Sequence, residues 1–304
     1  AMLNLEGYEA SPIAEEELTV EDRWMLSRLT SVSGNVTAYL EDFKYADATR
    51  ELYEFAWHQF CSFYVEMLKD RFADETKRPH AQRMLAYSLD CLLKLLHPVM
   101  PFITEEIWQN LARICPERGW AEVETANHCI IDAAWPALDP AWRDEAIENQ
   151  FALYQAALSD LREIRNSQNI GNKKKVNFSI KCTEDIADLL QPLGIYFSRM
   201  ANAELVELGP SAVAPETSAT RTTSDMEIYV DLDGLIDIGA EVKRLEKEKA
   251  NLEKSISGKQ RQLANEKFVA AKPDLAKEIQ TSLSQAESQL ATIADSLQKM
   301  TSKL

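Results

Sequence analysis

The sequence predicts a mainly α protein: an antiparallel helix bundle, then a small α+β unit, then a C-terminal antiparallel coiled-coil hairpin. Three observations carry this. Apolar residues recur at helical spacing through four successive segments before residue 115. Between Lys175 and Cys182 the period changes to strict alternation. From Ile238 onward an apolar stripe steps by threes, fours and sevens, with Pro273 interrupting it.

Residues 1–18 are a polar, acidic lead-in. A helix should start near Thr19, with Glu21 and Asp22 in the first turn. Trp24, Leu26, Leu29, Val32, Val36 and Leu40 then keep the helical period. Phe43-Lys44-Tyr45 reads as a turn. The next helix is expected over 46–72, with Leu52, Phe55, Ala56, Phe60, Phe63, Tyr64 and Met67 on a wide apolar face. Pro79 opens a third helix carrying Met84, Leu85, Leu89, Leu92, Leu93 and Leu96. Pro98 ends it, because proline lacks an N–H and pushes His97 out of the α region. Pro101 starts the fourth, with Glu105 and Glu106 near its positive end. Short connections between four helices imply antiparallel neighbours.

Residues 115–142 contain Pro116, Gly119, Pro136 and Pro140 and should be irregular. A helix is expected over 143–166. The alternation in 175–182 argues a half-buried strand. A helix over 184–201 should be disturbed at Pro192 and Gly194. Strands are expected at 204–208 and 226–232, joined by a Ser/Thr/Ala/Pro-rich flexible loop over 209–224. In the last segment Ile238, Val242, Leu245, Leu252, Ile256 and Leu263 form one seam. Leu275, Ile279, Leu283, Ala286, Leu290, Ile293, Leu297 and Met300 form the other. Lys249 and Lys259 fall on seam positions and weaken the register. The divisions that follow are a lead-in at 1–18, a bundle at 19–142, an α+β unit at 143–236 and an arm at 237–304.

The 304 residues are 45% apolar and 27% charged, as for a soluble globular protein. No apolar run reaches the ~18 residues that would span a membrane, and the N-terminus lacks the pattern of a signal peptide. Cys61, Cys91, Cys115, Cys129 and Cys182 show no C-x-x-C spacing, and their odd number fits free thiols in a reducing, cytoplasmic compartment. His58, His80, His97 and His128 show no metal-ligand spacing, so no metal is expected. A net charge of −16 argues at first against nucleic acid. Its distribution changes that. Residues 241–304 carry twelve Lys/Arg against nine Asp/Glu, a net +3, which leaves −19 on the remainder. An arm of opposite sign to its acidic body suits RNA contact. Mixed charge that merely solvates a long helix would look the same.

The stretch Leu95-Leu96-His97-Pro98-Val99-Met100-Pro101-Phe102-Ile103-Thr104-Glu105-Glu106-Ile107-Trp108 resembles the anticodon-binding helix bundle of the class I aminoacyl-tRNA synthetases of the valine, isoleucine and leucine group. Asp22-Arg23-Trp24-Met25-Leu26-Ser27-Arg28-Leu29, the run from Leu52 to Cys61 and Tyr64-Val65-Glu66-Met67-Leu68-Lys69 are similar to the same family. Asp233-Gly234-Leu235-Ile236-Asp237 and the terminal coiled coil, with Asn265-Glu266-Lys267-Phe268-Val269 at its turn, point to the valine branch. The resemblance covers essentially the whole chain. The clustered cysteines with which isoleucine enzymes often end are absent. So are the family's HIGH-type and KMSKS-type ATP-binding motifs and its inserted editing domain.

The resemblance therefore implies a tRNA-binding region that follows the catalytic domain, inactive alone. It would need no cofactor itself, while the whole enzyme would use ATP and Mg to attach valine. It implies a valine-accepting tRNA and the catalytic and editing domains of the same chain as partners, no membrane, and a monomer. Proteins read RNA loops with aromatic or Arg planes and base-edge hydrogen bonds, and hold phosphates with Lys and Arg. The anticodon candidates are Arg23, Arg28, Lys44, Arg50, Tyr53, Trp57, Lys69 and Arg71. Tyr53 and Trp57, four apart, would equally suit packing on another helix. Arg23 and Arg28 could instead pair with Asp22 or Glu21. The arm candidates are Lys254, Lys259, Arg261, Lys267 and Lys272. The arm departs from the family pattern at Ala270-Ala271-Lys272-Pro273 and in a return helix rich in Ser and Gln. Two other readings remain at this stage: an isoleucine- or leucine-type synthetase, and a scaffold that dimerises through 238–300 without binding RNA.

Overall fold

A computed structural model describes residues 2–235 and 238–264 and, beyond these, residues 279, 280, 282–284, 286, 287, 289, 290, 293, 294 and 297. The chain falls into two compact units, Ala1–Tyr154 and Gln155–Leu304.

Unit 1 is a helical bundle. Helix α1, Val20–Glu41, begins at a capping box in which Thr19 and Asp22 each receive the other's backbone N–H. It turns over through Phe43, which has φ +59°. Helix α2 starts as α-helical Tyr45–Tyr53 and passes through a π-helical run, Glu54–Tyr64. It closes with α-helical Val65–Met67. Short α3, Lys69–Ala73, precedes α4, Arg78–Leu96, and α5, Pro101–Ile114. The expected long second helix is thus present as a nearly continuous rod, but its middle is wound differently. Eleven residues of π-helix exceed the single-turn bulge that is the usual occurrence.

Trp24, Met25, Leu29, Leu52, Phe55, Tyr64, Met67 and Leu85 are all buried in the bundle core. Trp24 stacks on Phe151 of α6, Glu145–Ser167, with ring centroids 4.5 Å apart. The α4–α5 turn is closed by His97 Nδ1 against Thr104 Oγ1 at 2.8 Å; His97 itself keeps α-region angles, φ −56° and ψ −42°, against the expectation that Pro98 would push it out. Buried Trp108 donates to the Asn127 carbonyl at 3.0 Å and lies 4.3 Å under the Arg118 guanidinium, which pairs with Asp90. Within 115–142, expected to be irregular, a two-stranded ribbon of β1, Glu117–Arg118, and β2, Glu124–Thr125, is present. The polar lead-in is anchored rather than loose. Leu5 and Ile13 are buried, and Ile13 joins a cluster with Leu26 and Met84 against Trp120 and Trp142.

Unit 2 holds a four-stranded sheet in the order β4-β3-β6-β5: β3 is Val176–Cys182, β4 Ala203–Leu208, β5 Ser218–Thr222 and β6 Met226–Asp231. β3 runs parallel to β4 and antiparallel to β6. The parallel crossover is made by α7, Glu184–Leu190, and α8, Gly194–Ala201, broken by a 3-10 turn at Pro192 as expected. Strand β5 overturns the expectation of an unstructured loop: Ser218 to Thr222 pair with Asp231 to Glu227. Its backbone has a partner that local composition does not show.

Helix α9, Ile238–Leu263, forms the first limb of the arm. The described residues of the return limb are helical. Ile256, Leu283 and Ala286 are buried together, with Leu252, Leu263 and Leu290 packed around them, so the two limbs pack on each other within one chain. Lys259 tolerates its seam position by donating to Ser282 Oγ at 2.7 Å. Leu275, Met300 and the Pro273 break lie outside the described residues.

Candidate nucleic-acid interface

The α1–α2 turn and the exposed face of α2 concentrate ring surface in water. Phe43 is 76% exposed, and Tyr45, Tyr53 and Trp57 are each more than half exposed. Phe43 and Tyr45 meet edge to face at 6.3 Å, and Tyr53 and His58 at 5.8 Å. Phe43 and Tyr45 were not among the candidates. The signal that could have found them is an aromatic-Lys-aromatic turn, since an apolar turn residue with no core to enter is out of place. Phe43 also holds a left-handed backbone, which costs a non-glycine residue ~1–3 kcal/mol and tends to persist at functional sites. Trp57 lies on the π-helical run, where Ser62 Oγ donates to its carbonyl at 2.7 Å.

Three of the exposed candidate cations already have carboxylates. Lys44 pairs with Asp42 at 2.8 Å, Arg50 with Asp47, and Lys69 with Glu66 at 2.6 Å. Such surface pairs are weak, so a phosphate can displace them. Arg23 is exposed and makes no ion pair among the described residues.

Arg28 and Arg71 are spent on structure. Arg28 bonds Glu148 at 2.7 Å and Gln59 at 2.8 Å, tying α1 to α6 and α2. Glu148 also accepts from Ser27 and Ser31. Burial would raise its pKa, but these bonds and Arg28 outweigh it, so its carboxyl sits below the ordinary value. Arg71 is 7% exposed, with Nη1 at 2.8 Å from both oxygens of Asp22 and 3.3 Å from Glu21. Tyr64 donates to Asp22 at 2.8 Å, and His80 Nε2 stands 3.4 Å away. Burial pushes the Asp22 pKa up; His80, Arg71 and Tyr64 together bring it below its usual value. The Tyr64 hydroxyl is driven well above its own, by burial first and Asp22 second. Arg71 therefore faces the core and presents no guanidinium to RNA.

On the arm, Lys254 and Arg261 are exposed and Lys259 is half-buried against Ser282. Lys267 and Lys272 lie outside the described residues. Among the described residues no three His, Cys, Asp or Glu side chains cluster as metal ligands, and no helix is long and apolar enough to cross a membrane.

The profile of the anticodon-binding domain of tRNA ligase matches residues 22–180, and that of the valyl tRNA synthetase tRNA-binding arm matches residues 237–301. A valine–tRNA ligase of Rhodopirellula baltica is 41% identical over 99% of this chain and 30% of its own length. One of Enterococcus faecalis is 33% identical over 90% of this chain and 30% of its own length. One of Thermotoga maritima is 33% identical over 90% of this chain and 29% of its own length. The chain thus spans about 30% of the length of the curated relatives it matches.

Proposed function

The chain belongs to the family of anticodon-binding domains of tRNA ligases, and from that membership we propose that it is the tRNA-binding portion of a valine–tRNA ligase. The observation that carries the RNA reading is the row of exposed rings, Phe43, Tyr45, Tyr53 and Trp57, beside Lys44 and Arg50. Unstacked anticodon bases would lie on these rings, a contact worth ~1–3 kcal/mol per base. Lys44, Arg50, Lys69 and Arg23 would hold the loop phosphates, exchanging Asp42, Asp47 and Glu66 for the RNA where they are paired. Lys254, Lys259, Arg261, Lys267 and Lys272 would bring the arm to the outer corner of the tRNA. Such contacts convert binding into rate by orienting the acceptor end toward a distant active site.

The whole protein on this reading attaches valine to its tRNA, with ATP and Mg serving activation outside the span matched here. It works in the cytoplasm as a monomer. Separate units for anticodon, α+β sheet and arm divide the work as the 19–142, 143–236 and 237–304 segments. The test is a titration of the chain with valine tRNA and with an anticodon-swapped variant. We expect tighter binding of the valine anticodon, and loss of that preference in Trp57→Ala. Equal affinity for both tRNAs in the unaltered chain would sink the anticodon reading.

A further inference from the structure

Carboxylates outnumber cations by sixteen in this chain, so a place where cations gather without them needs a reason. One lies in unit 2. The C-terminal half of α6, the loop before β3 and the end of α8 enclose a cavity of ≈470 Å³ lined by Arg162, Arg165, Asn166, Asn172, Arg199 and Asn202, among others. That volume is in the range of ligand sites.

Helix α6 sorts its charges by face. Asp160 and Glu163 are both taken by Arg221 of β5, at 2.5 and 2.8 Å. Arg162 and Arg165 fall on the opposite side at 100° per residue, and neither meets a carboxylate among the described residues. Their bonds go to carbonyls. Arg162 donates to Met200 at 3.0 Å, and Arg165 to Gly171 at 2.7 Å and Lys174 at 2.8 Å. A guanidinium has five N–H donors, so a single carbonyl leaves Arg162 most of its capacity. Arg165 is only 3% exposed. Its charge is fixed in a poorly screened wall, where it acts more strongly on an anion than a surface lysine does. Lys173, exposed on the adjoining loop, has no ion pair among the described residues. Asn202 donates to the Asn172 carbonyl at 3.1 Å and ties two walls together.

Among the described residues the lining holds no aromatic ring that could stack a base. It offers fixed positive charge and amide donors, which suit phosphate and carry no base information. We infer that this crevice binds the phosphodiester backbone of RNA, through Arg162 in its lining and Lys173, next in sequence to the lining residue Asn172, with Arg165 behind them. The inference rests on the reading of the chain as tRNA-binding, and it adds a second contact of a different kind, indifferent to sequence.

The probe is an RNA duplex with no anticodon loop, titrated into the full chain at several salt concentrations. The unaltered chain should bind it weakly. R162Q/K173Q should lower the slope of log K against log salt by roughly 1.5–2, as for two lost phosphate contacts. R162K/K173R should restore it. Thermal melts check folding, and if R162Q disturbs it, K173Q alone should lower the slope by about 0.9. No duplex binding by the unaltered chain, or the same slope in R162Q/K173Q, overturns the crevice. Either result leaves the anticodon titration to be judged on its own.

Discussion

At one end of α1, Asp22 is fully buried and accepts from Arg71 and Tyr64. At the other end, Phe43, Lys44 and Tyr45 lie in solvent. Both ends carry charged and aromatic residues, and both meet the stretch from Tyr45 to Ala73. Their physics is opposite. Inside, each charge has a fixed partner, and removing one strands the other in a medium that cannot solvate it. Outside, the pairs Lys44–Asp42 and Arg50–Asp47 are screened and exchangeable. Residue type therefore does not separate structural arginines from ligand-binding ones. Burial and the permanence of the partner do.

The strongest test of this contrast is Asp22→Ala, which leaves Arg71 buried without its main partner. We expect a loss of ~3–5 kcal/mol in a urea unfolding curve, with tRNA contacts on the rim unaltered in the folded protein. A loss under about 1 kcal/mol would mean that the buried cluster is not what holds α1 to α3. The same cluster sets an acid limit. The Asp22 pKa is lowered on folding, so its contribution is fully present above the unfolded value, ~3.9. It is lost as pH falls through the folded value. Between pH 7 and pH 3 the unaltered chain should lose more stability than Asp22→Asn, and parallel losses would remove Asp22 as the cause.

Next in size is Trp57→Ala on the rim. Its ring is more than half exposed, so the melting temperature should hold while affinity for valine tRNA falls by ~1–3 kcal/mol. Fluorescence titration beside a thermal melt reads both. A large drop in stability would place Trp57 with the structural group instead.

Phe43→Gly sharpens the comparison further. Relief of the left-handed backbone favours the glycine by ~1–2 kcal/mol, and its greater unfolded freedom takes back ~0.5–1 kcal/mol. Stability should therefore rise by up to ~1.5 kcal/mol while tRNA affinity falls. A gain in stability with no change in affinity would leave the strain without a function.

The smallest effects belong to the arm. Replacing Lys254 and Arg261 by Gln should lower the salt slope by roughly 1.5–2, equally for valine and anticodon-swapped tRNAs, with melts unchanged. A change in preference between the two tRNAs would contradict a purely positioning role for the arm.

Much of this molecule follows from sequence because its signals are local. The start of α1 near Thr19, the α4–α5 turn at Pro98 and Pro101, the alternation that makes β3 and the seam through Ile256 and Leu283 each depend on residues a few positions apart, where spacing fixes which side chains share a face. What tertiary structure alone decided depends on distant partners. Ser218–Thr222 is a strand because β6 offers an edge, although its own composition reads as loop. The middle of α2 winds as a π-helix with no marker in its apolar spacing. Arg71 is buried and Arg50 exposed, two residues of one type on the consecutive helices α3 and α2, because Asp22 reaches Arg71 from 49 positions away. The crevice at Arg162 and Arg165 exists only where the ends of α6 and α8 converge. Periodicity tells which face of an element is apolar. It carries no information about which charge from elsewhere in the chain will meet a given side chain, and that meeting decides whether the side chain holds the fold together or remains available to a ligand.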